Sequence, residues 1–67
     1  MIEIVLNGAP QSLPANTTIA QLLERLGYAG KRLAVERNGE IVPKGRHVEF
    51  VLAAGDRLEI VVAVGGG

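Results

Sequence analysis

Residues 55–67 read GDRLEIVVAVGGG, a stretch that combines a turn, a long apolar run and a glycine-only end. The Gly55-Asp56 pair is typical of a turn, because glycine accepts a positive φ and aspartate bonds nearby backbone groups. Residues 58–64 form the most continuously apolar run of the chain. Strands that are flanked at both edges and covered on both faces have this composition, so the run predicts the central strand of a sheet.

The N-terminal residues are the natural neighbour of that central strand. Residues 2–6 read IEIVL and alternate with a period of two, as a strand with one core-facing side does. Asn7-Gly8 suits a type I′ turn, so residues 9–13 should fold back as a second strand. Pro10 lacks an amide donor and therefore assigns this strand to a sheet edge. The long connecting segment between the first and last strands permits these two strands to pair in parallel.

One short amphipathic helix is predicted after the first hairpin. Thr18 and Gln21 match the capping box, in which each side chain satisfies a free backbone amide at the helix start. Gly27 is well placed to cap the C-terminus. The helix presents one apolar stripe to the core: Ile19, Leu22, Leu23 and Leu26.

A second hairpin should follow, with residues 33–37 and 40–42 joined by Asn38-Gly39. Residues 44–54 suggest one irregular helical turn whose apolar side chains, Val48, Val51 and Leu52, should close the end of the core. The order of hairpin, helix, hairpin and final central strand is that of a β-grasp domain.

The predicted fold is therefore α+β and ubiquitin-like, with a mixed sheet of about five strands and one helix packed on one face. The domain should span residues 1–64, and residues 65–67 should form a flexible glycine tail. A small domain of this kind has little room for an enclosed active site.

Composition excludes several classes of function. Seven basic residues balance seven acidic ones, so the chain lacks the positive field of a nucleic-acid binder. Without cysteine there is neither a thiolate zinc site nor a nucleophilic thiol, and no metal or bound cofactor is expected. His47 has no catalytic partner pattern and is interpreted as a solvated loop residue, while Asp56 is interpreted as a turn former. No segment resembles a signal peptide or a membrane span, which predicts a cytoplasmic protein.

The C-terminal glycines are the part of the sequence that most directly suggests a chemical function. A triplet without Cβ atoms could enter a narrow channel in a partner, although a bare triplet is more often a linker remnant or a frayed end. Three segments, residues 38–44, 54–61 and 63–67, resemble the ThiS family of sulfur carriers. The resemblance implies that the Gly67 carboxylate becomes an adenylate and then a thiocarboxylate, with Gly66 as the other member of the diglycine. Val64, Gly65 and Gly66 would occupy the partner channel.

The resemblance also implies the partners. A ThiF-like adenylyltransferase would use ATP and magnesium, a sulfur-delivering enzyme would supply the sulfur, and the thiazole synthase ThiG would consume it. The chain itself would be a protein co-substrate with no catalytic residue. Alternatives are a MoaD-like carrier for molybdopterin synthesis, a ubiquitin-like modifier joined to lysines through Gly67, and a β-grasp binding module whose tail is incidental.

Two surfaces could contact a partner. Alternation predicts an apolar docking face on the side of the sheet opposite the helix, unless small residues there only serve strand propensity: Val5, Ala34, Val61 and Ala63. The second is a small basic group that could face an acidic partner or simply be solvated: Lys31, Arg32, Lys44 and Arg46.

Overall fold

The computed structural model describes residues 1–63, which form a five-stranded mixed sheet and one α-helix. In chain order the elements are β1 (Ile2–Leu6), β2 (Ala9–Leu13), α1 (Ile19–Arg25), β3 (Leu33–Arg37), β4 (Glu40–Val42), a 3₁₀ turn (Lys44–Arg46) and β5 (Arg57–Val62). The order across the sheet is β2-β1-β5-β3-β4. Strand β1 runs parallel to β5, and the other neighbouring pairs are antiparallel. The predicted α+β class and the central place of β5 are confirmed. No helix in this part of the chain has the length and hydrophobicity needed to cross a membrane.

Both predicted Asn-Gly turns are present, and both also brace the central strand. The φ angles are 49° and 84° at Asn7-Gly8 and 49° and 89° at Asn38-Gly39, as type I′ turns require. The Asn7 side chain accepts a bond from the Ile60 amide at 2.8 Å and donates to the Ile60 carbonyl at 3.3 Å. On the other side of β5, the Asn38 side chain accepts from the amide of Arg57 at 2.9 Å. The turns therefore position β5 from both neighbours.

Helix α1 begins and ends as the sequence predicts. The Gln21 side chain accepts from the Thr18 amide at 2.9 Å, and the Thr18 hydroxyl accepts from the Gln21 amide at 3.1 Å. At the C-terminus, Gly27 donates to the carbonyl of Glu24 and Tyr28 to that of Leu23, which is the bond pair of a Schellman motif. A helix of seven residues is unstable alone, so its stability comes from packing against the sheet.

The core lies between α1 and one face of the sheet. It consists of eleven buried apolar side chains: Ile4, Leu6, Leu13, Ile19, Leu22, Leu23, Val35, Val42, Leu52, Leu58 and Ile60. Only one face of β5 is buried, as alternation predicts: Val61 on the opposite face is 65% exposed, although the apolar run alone is typical of a strand covered on both faces. The uninterrupted apolar run arises because β-branched residues also occupy outward positions, which the composition of the run cannot distinguish from burial.

The prediction for residues 44–54 is correct in part. The helical turn is a short 3₁₀ turn, and Leu52 is buried, but Val48 and Val51 are 76% and 50% exposed. The backbone at Val51 pairs with Thr18 as a β-bridge, so this segment is extended where a helical spacing was expected. Alternation then sends Phe50 and Leu52 inward and Val51 outward.

His47 is not a solvated loop residue, as the sequence suggested. Its side chain is 6% exposed, and Nε2 lies 3.1 Å from the carbonyl oxygen of Val42. Since a carbonyl can only accept, Nε2 carries the proton in this contact. The backbone carbonyl of His47 also accepts from the amide of Ala20 at 2.9 Å. The histidine therefore joins the 3₁₀ turn to β4 and to α1.

Candidate functional site on the open sheet face

The last described residue is fixed in the sheet. Val62 pairs with Leu33, and the Ala63 amide donates to the carbonyl of Arg32 at 2.9 Å. The chain thus passes directly from the central strand into residues 64–67. The predictions made for Val64, Gly65, Gly66 and Gly67 lie outside the described residues.

The sheet face opposite α1, here called the open face, has the predicted alternation. Val35 and Ile60 point into the core with 1% and 7% exposure. Ala34 and Val61 lie directly opposite each other on the open face. Ala34, Val61 and Ala63 are all exposed, and they lie at the end of the sheet where the tail begins.

Val5 is on the open face but apart from those three residues. It is half-buried and pairs with Arg57 at the beginning of β5. Arg57 and Val61 are four positions apart along the strand, or about 13 Å at the usual rise. On that face, the exposed charged residues Arg57 and Glu59 lie between Val5 and the three apolar residues. The structure therefore brings together Ala34, Val61 and Ala63 but not Val5.

This architecture matches a known family over nearly its whole length. The sequence profile of the ThiS family aligns with residues 4–67. The chain belongs to the ThiS family. The sulfur carrier protein ThiS of Bacillus subtilis is 43% identical over 63 residues, which cover 92% of this chain and 96% of that protein. The crystal structure of the thiamine biosynthesis protein ThiS from Geobacter metallireducens superposes with a TM-score of 0.83 at 26% identity, covering 98% of this chain and 100% of that one.

Larger proteins also contain a similar stretch. A thiazole synthase from Paramagnetospirillum magneticum is 42% identical over 66 residues, which cover 98% of this chain and 20% of that protein. A thiazole synthase from Magnetococcus marinus has the same identity and coverage. The chain thus spans about a fifth of the length of these relatives.

The open face of this ThiS-family sheet carries further residues that the sequence reasoning missed: half-buried Glu36 and exposed Ile41 and Glu59. Glu36 and Glu59 are directly opposite each other, and like charges in that position destabilise a sheet pair. Ile41 on β4 is paired with Glu36 and is 63% exposed. The register of the second hairpin identifies the pair of Glu36 and Ile41, and the register of β3 with β5 adds Glu59. They extend the open face from its apolar end towards β4.

Asp56 is a buried residue directly before β5 that connects this strand to the end of β3. Its carboxylate is 4% exposed and accepts from the Arg37 guanidinium through two bonds of 3.0 Å, from the Ala53 amide at 2.9 Å and from the Asn38 side chain at 3.3 Å. Burial alone raises the pKa of a carboxyl. Here the bonds from Arg37, Ala53 and Asn38 and the Arg37 charge outweigh it, so the pKa of Asp56 lies below its ordinary value of 3.8. The turn role is confirmed, and the partnership with Arg37 was missed.

The basic group predicted from the sequence is divided by the fold. Lys31, Arg32 and Lys44 line one depression, whereas Arg46 lines another with Glu40 and other residues. Within residues 1–63 there is no group of three or more side chains suited to hold a metal ion.

Proposed function

We propose that this chain is a cytoplasmic sulfur carrier for thiazole formation in thiamin biosynthesis. Membership of the ThiS family supports this function, as does the 43% identity with the Bacillus subtilis sulfur carrier. The observation that carries the proposal is the fixed strand β5, which is followed by the hydrogen-bonded Ala63, then by Val64 and three glycines. A rigid domain that presents a thin tail suits delivery of one terminal group into a partner's active site.

In this proposal the reactive group is the carboxylate of Gly67. A carboxylate is a poor electrophile, because it is negatively charged and has no good leaving group. A ThiF-like adenylyltransferase, using ATP and magnesium, attaches AMP to the carboxylate and releases pyrophosphate. Sulfide-level sulfur from a sulfur-delivering enzyme then displaces AMP and leaves a thiocarboxylate. Since the chain has no cysteine, any thiol in this sequence of steps belongs to a partner.

Thiazole synthase ThiG is the proposed acceptor of that sulfur. The two thiazole synthases that contain a stretch 42% identical to this chain support the pairing of the two activities. We propose that the apolar end of the open face, Ala34, Val61 and Ala63, lies against the partner while residues 64–67 occupy its channel. Each glycine keeps the tail narrow, so a bulky residue at position 66 should be excluded from such a channel.

The direct test of the function is the mass of the protein after incubation with a ThiF-like enzyme, ATP, magnesium and sulfide. We expect the mass difference of one sulfur replacing one oxygen, located at Gly67. Omitting ATP should abolish the gain. Appending one residue after Gly67 should also abolish it without changing the melting temperature, because the reactive carboxylate is then misplaced. If the extended protein gains sulfur as well as the parent, Gly67 is not the acceptor and the proposal is wrong.

A second test concerns the docking surface. Val61→Asp should weaken binding to the partner by at least about tenfold, because the new carboxylate must be desolvated without a counter-charge. The fold should remain intact, since Val61 is 65% exposed. Titration of the thiazole synthase with each purified variant measures the change in Kd.

Val51→Asp is the matched control for that test. Val51 is 50% exposed and pairs with Thr18 in a β-bridge rather than lying on the open face. We expect its Kd to equal that of the parent. Equal weakening by both substitutions, or by neither, would show that the open face is not the docking surface.

A further inference from the structure

Three basic side chains from two separate segments surround one depression at the edge of α1. Lys31 and Arg32 precede β3, and Lys44 begins the 3₁₀ turn. The depression has a volume of about 130 Å³, and Leu23 and Tyr28 contribute to its lining. All three basic residues are exposed. We call Lys31, Arg32 and Lys44 the basic rim.

The basic rim has no counter-charge within ion-pair distance in the described part of the chain. The ion pair found among residues 1–63 joins Arg37 to Asp56 and includes none of the rim residues. One carboxylate, Glu24, lines the adjoining depression together with Lys44. The whole chain has equal numbers of basic and acidic residues, so the rim is a local excess of positive charge on a neutral protein. Such an excess attracts carboxylates over about a Debye length, roughly 10 Å at 0.1 M salt.

The rim also adjoins the base of the tail. The carbonyl of Arg32 accepts the bond from the Ala63 amide that fixes the end of the sheet. A partner that takes residues 64–67 into a channel must cover the surface around Ala63. The rim therefore reaches the perimeter of that contact at Arg32, where charged groups affect association rather than core packing.

We infer that the basic rim binds an acidic segment of the thiazole synthase beside the opening that receives the tail. This inference rests on the proposed sulfur-carrier function. The synthase is the expected binding partner of the rim because two thiazole synthases include a stretch similar to this chain within one polypeptide. Attraction between the rim and partner carboxylates accelerates the encounter and orients the tail before the apolar contact forms.

The test is the binding of a thiazole synthase that has no ThiS-like segment of its own. The probe is the chain with Lys31→Glu, Arg32→Glu and Lys44→Glu combined, compared with the parent in roughly 50 mM and 500 mM salt. At low salt we expect Kd to rise at least about tenfold, mainly through slower association. At high salt the difference should fall below about twofold, because the ions screen exposed charges.

Arg46→Glu is the matched control for the rim. Arg46 is exposed and lies two residues after Lys44 in the same 3₁₀ turn, but it lines a different depression. The substitution makes the same change of charge as each single rim substitution, so Lys44→Glu alone is measured beside it. We expect Kd to rise for Lys44→Glu at low salt and to stay within about twofold of the parent for Arg46→Glu at both salt concentrations. Thermal melts should show that the single and triple variants remain folded.

The possible outcomes separate this inference from the proposed function. Weaker synthase binding by the rim variant alone supports the inference, whether or not the ThiF-like enzyme is also affected. Unchanged synthase binding, an equal loss with Arg46→Glu, or a loss confined to the ThiF-like enzyme overturns it, while sulfur gain at Gly67 can still succeed. A parent protein that neither gains sulfur nor binds the synthase refutes the proposed function itself.

Discussion

Leu22→Ala is expected to lower the free energy of unfolding by about 2–5 kcal/mol, because it removes buried methylenes and leaves a cavity. Leu22 is among the largest fully buried side chains and lies in the stripe by which α1 contacts the sheet. A domain of this length has a total stability of roughly 3–10 kcal/mol. The single substitution therefore removes a large fraction of the stability or unfolds the protein, as urea denaturation at neutral pH will measure.

Glu24→Ala is the control on the same helix. Glu24 is exposed and alanine is a good helix former, so the change should stay within about 0.5 kcal/mol. If Leu22→Ala has the same unfolding midpoint as Glu24→Ala, then α1 does not pack on the sheet through this residue.

Asp56→Asn is expected to cost about 2–4 kcal/mol at neutral pH. The amide loses the charge that Arg37 pairs with and directs a donor at groups that are themselves donors. The cost is less than for a fully buried pair, because the Arg37 side chain remains 30% exposed. Glu24→Gln, which removes an exposed carboxylate, should be close to neutral.

Acid should reduce the effect of that substitution. The pKa of Asp56 is lower in the folded protein than its ordinary value of 3.8. The stabilisation by the carboxylate is therefore complete above the unfolded pKa and is lost as pH falls through the lower folded pKa. Urea midpoints of parent and variant should converge as pH decreases below about 4. A constant difference from neutral pH to pH 3 would contradict a role for the ionised carboxylate.

Local sequence signals determined most of the fold. The capping residues Thr18 and Gln21, the stripe of α1 and the two Asn-Gly turns each act within a few residues, and the structure has all of them. The continuous apolar run also identified β5 as the central strand. The run alone does not show that only one face of β5 is covered, because valine is favoured both in a core and on an outward strand position; alternation along the strand is the signal that predicted Val61 to be exposed.

Contacts between distant residues were not predictable in the same way. Arg37 and Asp56 are 19 residues apart, and no spacing rule joins them until the register of β3 with β5 is known. His47 illustrates the same limit, since its burial depends on where the 3₁₀ turn lies against β4. For the candidate site, alternation identified the exposed positions Ala34, Val61 and Ala63. Alternation could not reveal that Val5 lies at the other end of the face, because it does not determine the register, that is, which residues of two neighbouring strands lie side by side.

The central strand is also the last strand of the described chain, and this order links folding to tail presentation. Both hairpins and α1 form through local contacts, but β5 must insert between β1 and β3, and its pairing with β1 joins residues more than 50 positions apart. Such long-range pairing is slow to form because a large loop must close first. Ala63 is held in position only after β5 has paired with β3, through its bond to the carbonyl of Arg32. A nascent or partly unfolded chain would lack this fixed end of β5, so a partner that recognises the complete sheet would select folded molecules.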